Sequence, residues 1–155
     1  MKIDLIRASL KDTKEIWEMQ IKSFKELLDK YQDFETNPAS EPISNIEIRL
    51  KQNFTFFYFI CIDNKKVGAI RIVDYKEKHK NKRISPIFIL PEYRNKGIAQ
   101  SAIKICEEIH GNNNWELSTI LQEKGNCYLY EKLGYRPTGK TQFINDRLTL
   151  IFYKK

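Results

Sequence analysis

The pattern that most restricts this fold is a helical repeat enclosed by two strand-like runs. "RISPIFIL" (83–90) and "NNNWELSTIL" (112–121) are rich in apolar and β-branched residues. Between them Ile98, Ala102, Ile105, Cys106 and Ile109 recur at helical spacing up to Gly111, a residue type common just past a helix end. A helix that joins two strands of one sheet brings them together in parallel. The expected architecture is therefore α+β, a mixed and mostly antiparallel sheet with one parallel pair and helices on both faces. Pro86 has no amide hydrogen, so the ladder of its strand is expected to be interrupted or bulged there.

The other elements follow from shorter signals. "IDLIRA" (3–8) reads as a strand, and Asp12 with Glu15 reads as a capping box opening a helix whose face carries Ile16, Gln20, Phe24, Leu27, Leu28 and Tyr31. After the loop "QDFETNPASEP" (32–42), Ser44 and Glu47 repeat the cap signature, with Ile43 placed to staple on Ile48. They predict a second short helix over "NIEIRLKQ" (45–52). "FTFFYFICI" (54–62) and "VGAIRIVDY" (67–75) flank "DNKK" as a hairpin. The aromatic run is assigned to the core and not to base stacking, because helices on both faces require a core there. "GNCYLYEKLGY" (125–135) predicts a short helix ending at Gly134, followed by two strands turning at Asn145 and Asp146. The order is βααββ and then βαβαββ, in one domain spanning residues 1–155.

With 155 residues, 41% hydrophobic and 30% charged, the chain has the make-up of one soluble globule. No stretch approaches the roughly 20 apolar residues of a membrane span. "MKIDLIRASLKD" carries Asp4 early and lacks the apolar core of a secretory signal, so a cytoplasmic location is expected. Cys61, Cys106 and Cys127 are odd in number and far apart, which argues for buried thiols and against a disulfide framework or a zinc site; no metal is expected. His79, in a lysine-rich loop, and His110, at a helix end, are assigned to solvent. The net charge of +7 would attract polyanions of any class. Its spread along the whole chain argues against nucleic acid as the partner, although a non-catalytic basic module remains the alternative reading.

The chemistry concentrates at "ILPEYRNKGIAQ" (89–100), where a strand stops at a proline and a basic, glycine-containing corner leads into a helix. The first turn of a helix leaves its amides unpaired and carries partial positive charge, Arg94 and Lys96 add full charges, and Gly97 removes a side chain that would hold a phosphate off the backbone. Neither G-x-x-x-x-G-K-S/T nor G-x-G-x-x-G is present, which disfavours ATP and NAD.

This stretch resembles motif A of the GNAT superfamily of acetyl-CoA-dependent N-acetyltransferases, Q/R-x-x-G-x-G/A directly after the fourth strand. "LYEKLGY" (129–135) is similar to that family's motif B, Y-E-K-x-G-F/Y. The resemblance covers residues 3–153. It implies a GNAT fold of about seven strands in which strands four and five splay apart, with the pantetheine arm of acetyl-CoA between them. By position, the backbone of Ile87, Phe88 and Ile89 would bind the pantetheine, and Arg94, Asn95, Lys96, Gly97, Ile98, Ala99, Gln100 and Ser101 the pyrophosphate. Ala99 stands where glycine is commoner.

In this resemblance Tyr130 is the expected general acid for the departing thiolate; its phenol, with an ordinary pKa of about 10, is protonated at neutral pH. Packing on the sheet is the other reading of it. Relatives often carry an asparagine seven residues before this tyrosine, where this chain has Glu123. Asn126 is placed either to take over the cofactor contact or to cap its helix. The position of the family's strand-four glutamate is Arg83, which cannot act as a base. Glu116 is preferred as the base, with Glu123 or a water relay as other routes. The acceptor is expected to be an amine, on a small molecule or a peptide, bound by a monomer or a homodimer. Asp33, Glu35 and Glu41 in the first long loop either attract a cationic amine or are simply solvated.

Overall fold

The computed structural model describes residues 2–155. Its elements are β1 (Ile3–Arg7), α1 (Thr13–Tyr31), α2 (Ile43–Lys51), β2 (Thr55–Ile62), β3 (Lys65–Val73), β4 (Lys82–Ile89), α3 (Ile98–His110), β5 (Trp115–Ile120), α4 (Lys124–Lys132), β6 (Arg136–Asn145) and β7 (Leu148–Lys154). The strands form one sheet in the order β1-β2-β3-β4-β5-β7-β6. Among the described residues only β4 and β5 pair in parallel, as a helix crossover between them requires.

The apolar run in β2 has no polar alternate positions because both faces of the sheet are covered. Phe57, Phe59 and Cys61 pack with Ile16 and Met19 of α1 and Ile46 of α2. Their neighbours Tyr58 and Ile60 point the other way, into a larger core with Ala102, Ile103 and Cys106 of α3. All three cysteines are buried and unbridged. Asp63 and Asn64 turn the β2–β3 hairpin with φ of 48° and 67°, the left-handed pair that matches strand twist. Among the described residues no helix is long and apolar enough to cross a membrane.

Four local expectations need correction. The capping box at the start of α1 lies one turn earlier: Asp12 accepts from the Ser9 amide at 2.8 Å across a single 3-10 turn, and Glu15 instead pairs with Lys66 at 2.6 Å. α2 begins at Ile43 on Pro42, whose φ of −70° suits a helix start, so Ser44 is inside the helix. Ile43 and Ile48 are both exposed and form no staple. The buried face of α3 is rotated toward Ile103 and Glu107, while Ile109 faces water. The cause is the Glu107 carboxylate, which accepts from Tyr135 at 2.9 Å and from Lys155 at 3.0 Å and so is satisfied inside.

The fourth correction is His110, whose side chain is only 1% exposed. Its Nδ1 meets Asp74 at 2.8 Å and its Nε2 meets the Tyr58 hydroxyl at 2.9 Å, tying the end of α3 to β2 and β3. Burial lowers the imidazole pKa below its ordinary 6.5, and the Asp74 carboxylate opposes this without reversing it. The unfolded chain therefore takes up this proton first as pH falls below about 6.5, and stability drops until the folded imidazole titrates too. We expect His110→Ala to cost about 2–4 kcal/mol at neutral pH and to flatten that acid slope, as read by urea melts at several pH values. An unchanged slope would show that His110 is not its source.

Candidate active site

β4 and β5 pair at Lys82 with Trp115 and at Arg83 with Glu116, and nowhere beyond. Past those two pairs the strands diverge, leaving the β4 edge at Ile87, Phe88 and Ile89 without a strand partner on that side. On its other side the same segment stays paired with β3, and the ladder slips between Ile70 and Ile72, opposite Ser85 and Pro86. Gly68 allows this seating, since a Cβ there would lie 2.2 Å from the Phe88 carbonyl oxygen. The bulge at Pro86 was legible from the sequence; the need for Gly68 was not.

The corner after β4 opens onto the same space. Asn95 and Gly97 have φ of 63° and 76°, the left-handed conformation that turns the chain from the strand into α3. The first amide bonded within α3 is that of Ser101, to the Gly97 carbonyl at 3.2 Å. The amides of Ile98, Ala99 and Gln100 are therefore left for an outside acceptor. A Cβ on Gly97 would meet nothing within 4 Å, so the glycine keeps open space above these donors.

Two cavities adjoin at this cleft. One, of about 490 Å³, is lined by Ile87, Phe88 and Ile89, by the corner from Arg94 to Gln100 except Lys96, and by Asn126 and Tyr130. Lys96 and Ser101 lie outside it. The other, of about 300 Å³, lies against the first long loop and β7. They share Phe24 and Leu27 of α1, Ile87 of β4, and Asn126 and Tyr130 of α4. Tyr130 thus stands where the two spaces meet. Burial pushes its phenol pKa up to about 12, with a smaller push from Cys127, and its hydroxyl has no side-chain partner among the described residues. The phenol is therefore protonated at neutral pH in a residue that lines both cavities. Among the described residues no group of three or more His, Cys, Asp or Glu could hold a metal ion.

Residues 14–135 match the acetyltransferase (GNAT) family. The chain belongs to that family. No curated protein matches it in sequence. Solved structures of the same fold include spermidine N-acetyltransferase from Vibrio cholerae in complex with CoA and spermine, at 18% identity and a TM-score of 0.76 over 97% of this chain and 93% of that one. An acetyltransferase from Salmonella typhimurium that modifies the N-terminal serine of a 50S ribosomal subunit protein has 12% identity and a TM-score of 0.74 over 100% and 95%. PaiA N-acetyltransferase from Thermoplasma acidophilum, in complex with coenzyme A, has 16% identity and a TM-score of 0.66 over 100% of both chains.

Within this GNAT fold, the resemblance implies that the first two helices, their loop and the turn between strands six and seven build the acceptor pocket, but Phe24 and Leu27 were not singled out as residues of the cleft. Phe24 and Leu27 were expected as core, yet they are only half-buried because they face the cavities; Phe24 meets Phe88 edge-on at 5.8 Å. Two clamps hold α1 there. Arg94 donates to the carbonyls of Ile89, at 3.0 Å, and of Ser23, and lies 3.5 Å from Glu26. Its guanidinium thus braces the corner against α1. At the other end Glu123, just before α4, accepts from Tyr31 and, at 2.9 Å, from Lys30. Burial raises the Glu123 pKa, but these two donors outweigh it and hold the carboxylate below its ordinary range. Glu123 lines the larger cavity as a structural anchor for the α1 terminus.

The other acids fall into place by their partners. Glu116 sits at the closed end of the β4–β5 pair, 4.0 Å from Arg83, and lines neither cavity. Asp33 is buried at the smaller cavity, where it accepts from the amides of Glu35, at 3.2 Å, and Thr36, at 2.9 Å, and from the Thr36 hydroxyl. Glu41 is 2.6 Å from Arg49, and Glu35 faces solvent. Removing the brace by Arg94→Ala should cost about 1–3 kcal/mol and speed amide exchange along Ser23–Leu27, because two carbonyls lose a charged donor. Wild-type melting and exchange would show that α1 is held without it.

Proposed function

We propose that this chain binds acetyl-CoA and transfers its acetyl group to a primary amine by direct attack within a ternary complex. One observation carries the reading: the phenol of Tyr130 lies where a cavity bounded by an unpaired strand edge and free helix amides meets a second cavity. The first cavity suits a pantetheine chain hydrogen-bonded like an added strand along Ile87–Ile89, with its pyrophosphate on the amides of Ile98, Ala99 and Gln100. Asn95 and Gly97 shape that corner, and Asn126, which lines both cavities, is placed to contact the cofactor arm. Coenzyme A in solved structures of the same fold, and amine acceptors as different as spermidine and a protein's N-terminal serine, support both halves of the proposal.

In the reaction, a neutral amine attacks the thioester carbonyl, the carbon–sulfur bond of the tetrahedral adduct breaks, and the departing thiolate takes the Tyr130 proton. Burial keeps the phenol protonated at neutral pH, as the role requires, and weakens it as an acid, since a thiolate of ordinary pKa about 8.5 is a weaker base than this phenolate; transfer is therefore completed by reprotonation of Tyr130 from water. The amine's own proton leaves to water in the smaller cavity: Glu123 is engaged by Lys30 and Tyr31, and Glu116 lies outside both cavities.

Calorimetry with acetyl-CoA tests the binding half; absence of heat with the wild-type protein would end the proposal. Gly97→Val should remove that heat, because a branched side chain is strained at the φ of 76° with which Gly97 turns the chain into α3. Tyr130→Phe should keep binding within a few-fold and lower kcat by about 10²–10⁴-fold in a thiol-release assay, the range of general acid catalysis. A Phe variant of full activity would remove Tyr130 from the acid role.

A further inference from the structure

The smaller cavity reaches along β4 to Arg83 and Ser85, and Arg83 has two cationic neighbours. Val73 is the cross-strand partner of Arg83, and Arg71 lies two residues away on the same strand, so Arg71 and Arg83 share one face of the sheet. That face is the one covered by α1 and α2, because Phe57, the partner of Arg71 on β2, packs in the core beneath them. Arg71 donates through Nε to the Ser85 carbonyl, in the cavity wall. Arg49 approaches from α2.

The carboxylates in reach do not balance these three charges. Glu41 is 2.6 Å from Arg49, a close contact but one not aligned as a hydrogen bond, since the same buried nitrogen has no partner by geometry. Glu116 is 4.0 Å from Arg83, at the outer limit of an ion pair, and both side chains are more than two-fifths exposed. Arg71 has no carboxylate partner among the described residues. Burial first, and then Arg49 and Arg83, pull its pKa down to about 10, which still leaves it charged at neutral pH. Asp33, on the same cavity, already has both carboxylate oxygens engaged by Glu35 and Thr36. A half-buried guanidinium cluster with surplus charge is stabilised by an anion with good geometry.

Resting on the acetyltransfer reading above, we propose that the acceptor amine also carries an anion, a carboxylate or a phosphate, which Arg83 receives with Arg71 and Arg49 behind it. Arg83 lies roughly 10 Å along β4 from Ile87, the β4 residue common to both cavities, because the bulge makes residues 83–87 span only the three steps from Val73 to Ile70, at about 3.3 Å each. Amine and anion are therefore separated by several bonds, as in an ω-amino acid, a short peptide with its terminal carboxylate, or an aminoalkyl phosphate. Polycationic amines are disfavoured at this site, because their second charge would meet the arginines.

The test uses four amines of matched length in the thiol-release assay: ω-aminohexanoate, its carboxamide, aminohexyl phosphate and the corresponding diamine. Either anionic amine should exceed the carboxamide in kcat/KM by about tenfold or more, as a charge-assisted hydrogen bond provides, with the diamine lowest. Whichever anion leads separates a carboxylate source from a phosphate source. In Arg83→Gln the ratio of anionic to neutral amine should fall toward one, and calorimetric binding of the two anionic amines should weaken by a similar factor. Preference for the diamine, an equal effect of Arg83→Gln on charged and neutral amines, or no heat from either anionic amine would each overturn the inference. Acetyl-CoA heat measured on the same samples separates the two readings: if it is present while anion preference is absent, only this inference fails.

Discussion

The divergence of β4 from β5 is the constraint on which the rest of the site depends. Two paired positions, Lys82 with Trp115 and Arg83 with Glu116, fix the strands side by side at one end. Everything after them is held from the far side only, by the β3 ladder and the close seating of β4 on Gly68. A strand edge inside a folded domain normally finds a partner or is covered. Here the edge from Ile87 to Ile89 forms the wall of a cavity instead, and the free end of α3 closes it with three unpaired amides. The fold thus leaves two sets of backbone hydrogen-bonding groups facing one space.

Charge organises the other side of the cleft. Arg94 and Glu123, both cavity residues, turn their charges onto α1 and so act as braces. Bracing places Phe24 and Leu27 between the two cavities, next to Tyr130. The β6–β7 turn joins this roof: Asn145 donates to the Tyr31 carbonyl at 3.0 Å. A GNAT relative with asparagine in place of Glu123 would lack this ionic anchor, so the substitution in this chain changes how the α1 terminus is held while the corner itself stays as the motif describes. Farther along β4, guanidinium groups outnumber the carboxylates around Arg71, at the wall of the smaller cavity.

Much of the fold was legible because its signals are local. The turn at Asp63 and Asn64, the helix stop at Gly111, the bulge at Pro86 and the glycine corner each depend on what one or two residues do to their own backbone. The misreadings came where a partner distant in sequence outweighed a local pattern. Glu107, outside the apolar repeat read for α3, is turned inward by Tyr135 and Lys155. His110 looked solvated but is enclosed by Tyr58 and Asp74. Phe24 and Leu27 carried the same apolar signal as true core residues, because a side chain lining a cavity and one filling a core obey the same periodicity.

Sequence alone determined the order of elements, the parallel pair, the glycine corner after β4 and the helix that carries Tyr130, since periodicity, turn chemistry and two short motifs are properties of neighbouring residues. Tertiary structure alone decided which charges are free. Arg94 is engaged by backbone carbonyls, Glu123 by Lys30 and Tyr31, and Asp33 by its own loop, while Arg71 and Arg83 are left with more positive charge than the nearby acids neutralise. The physical reason is that a side chain's availability depends on burial and on partners brought close by folding, and these lie up to 117 residues apart in this chain.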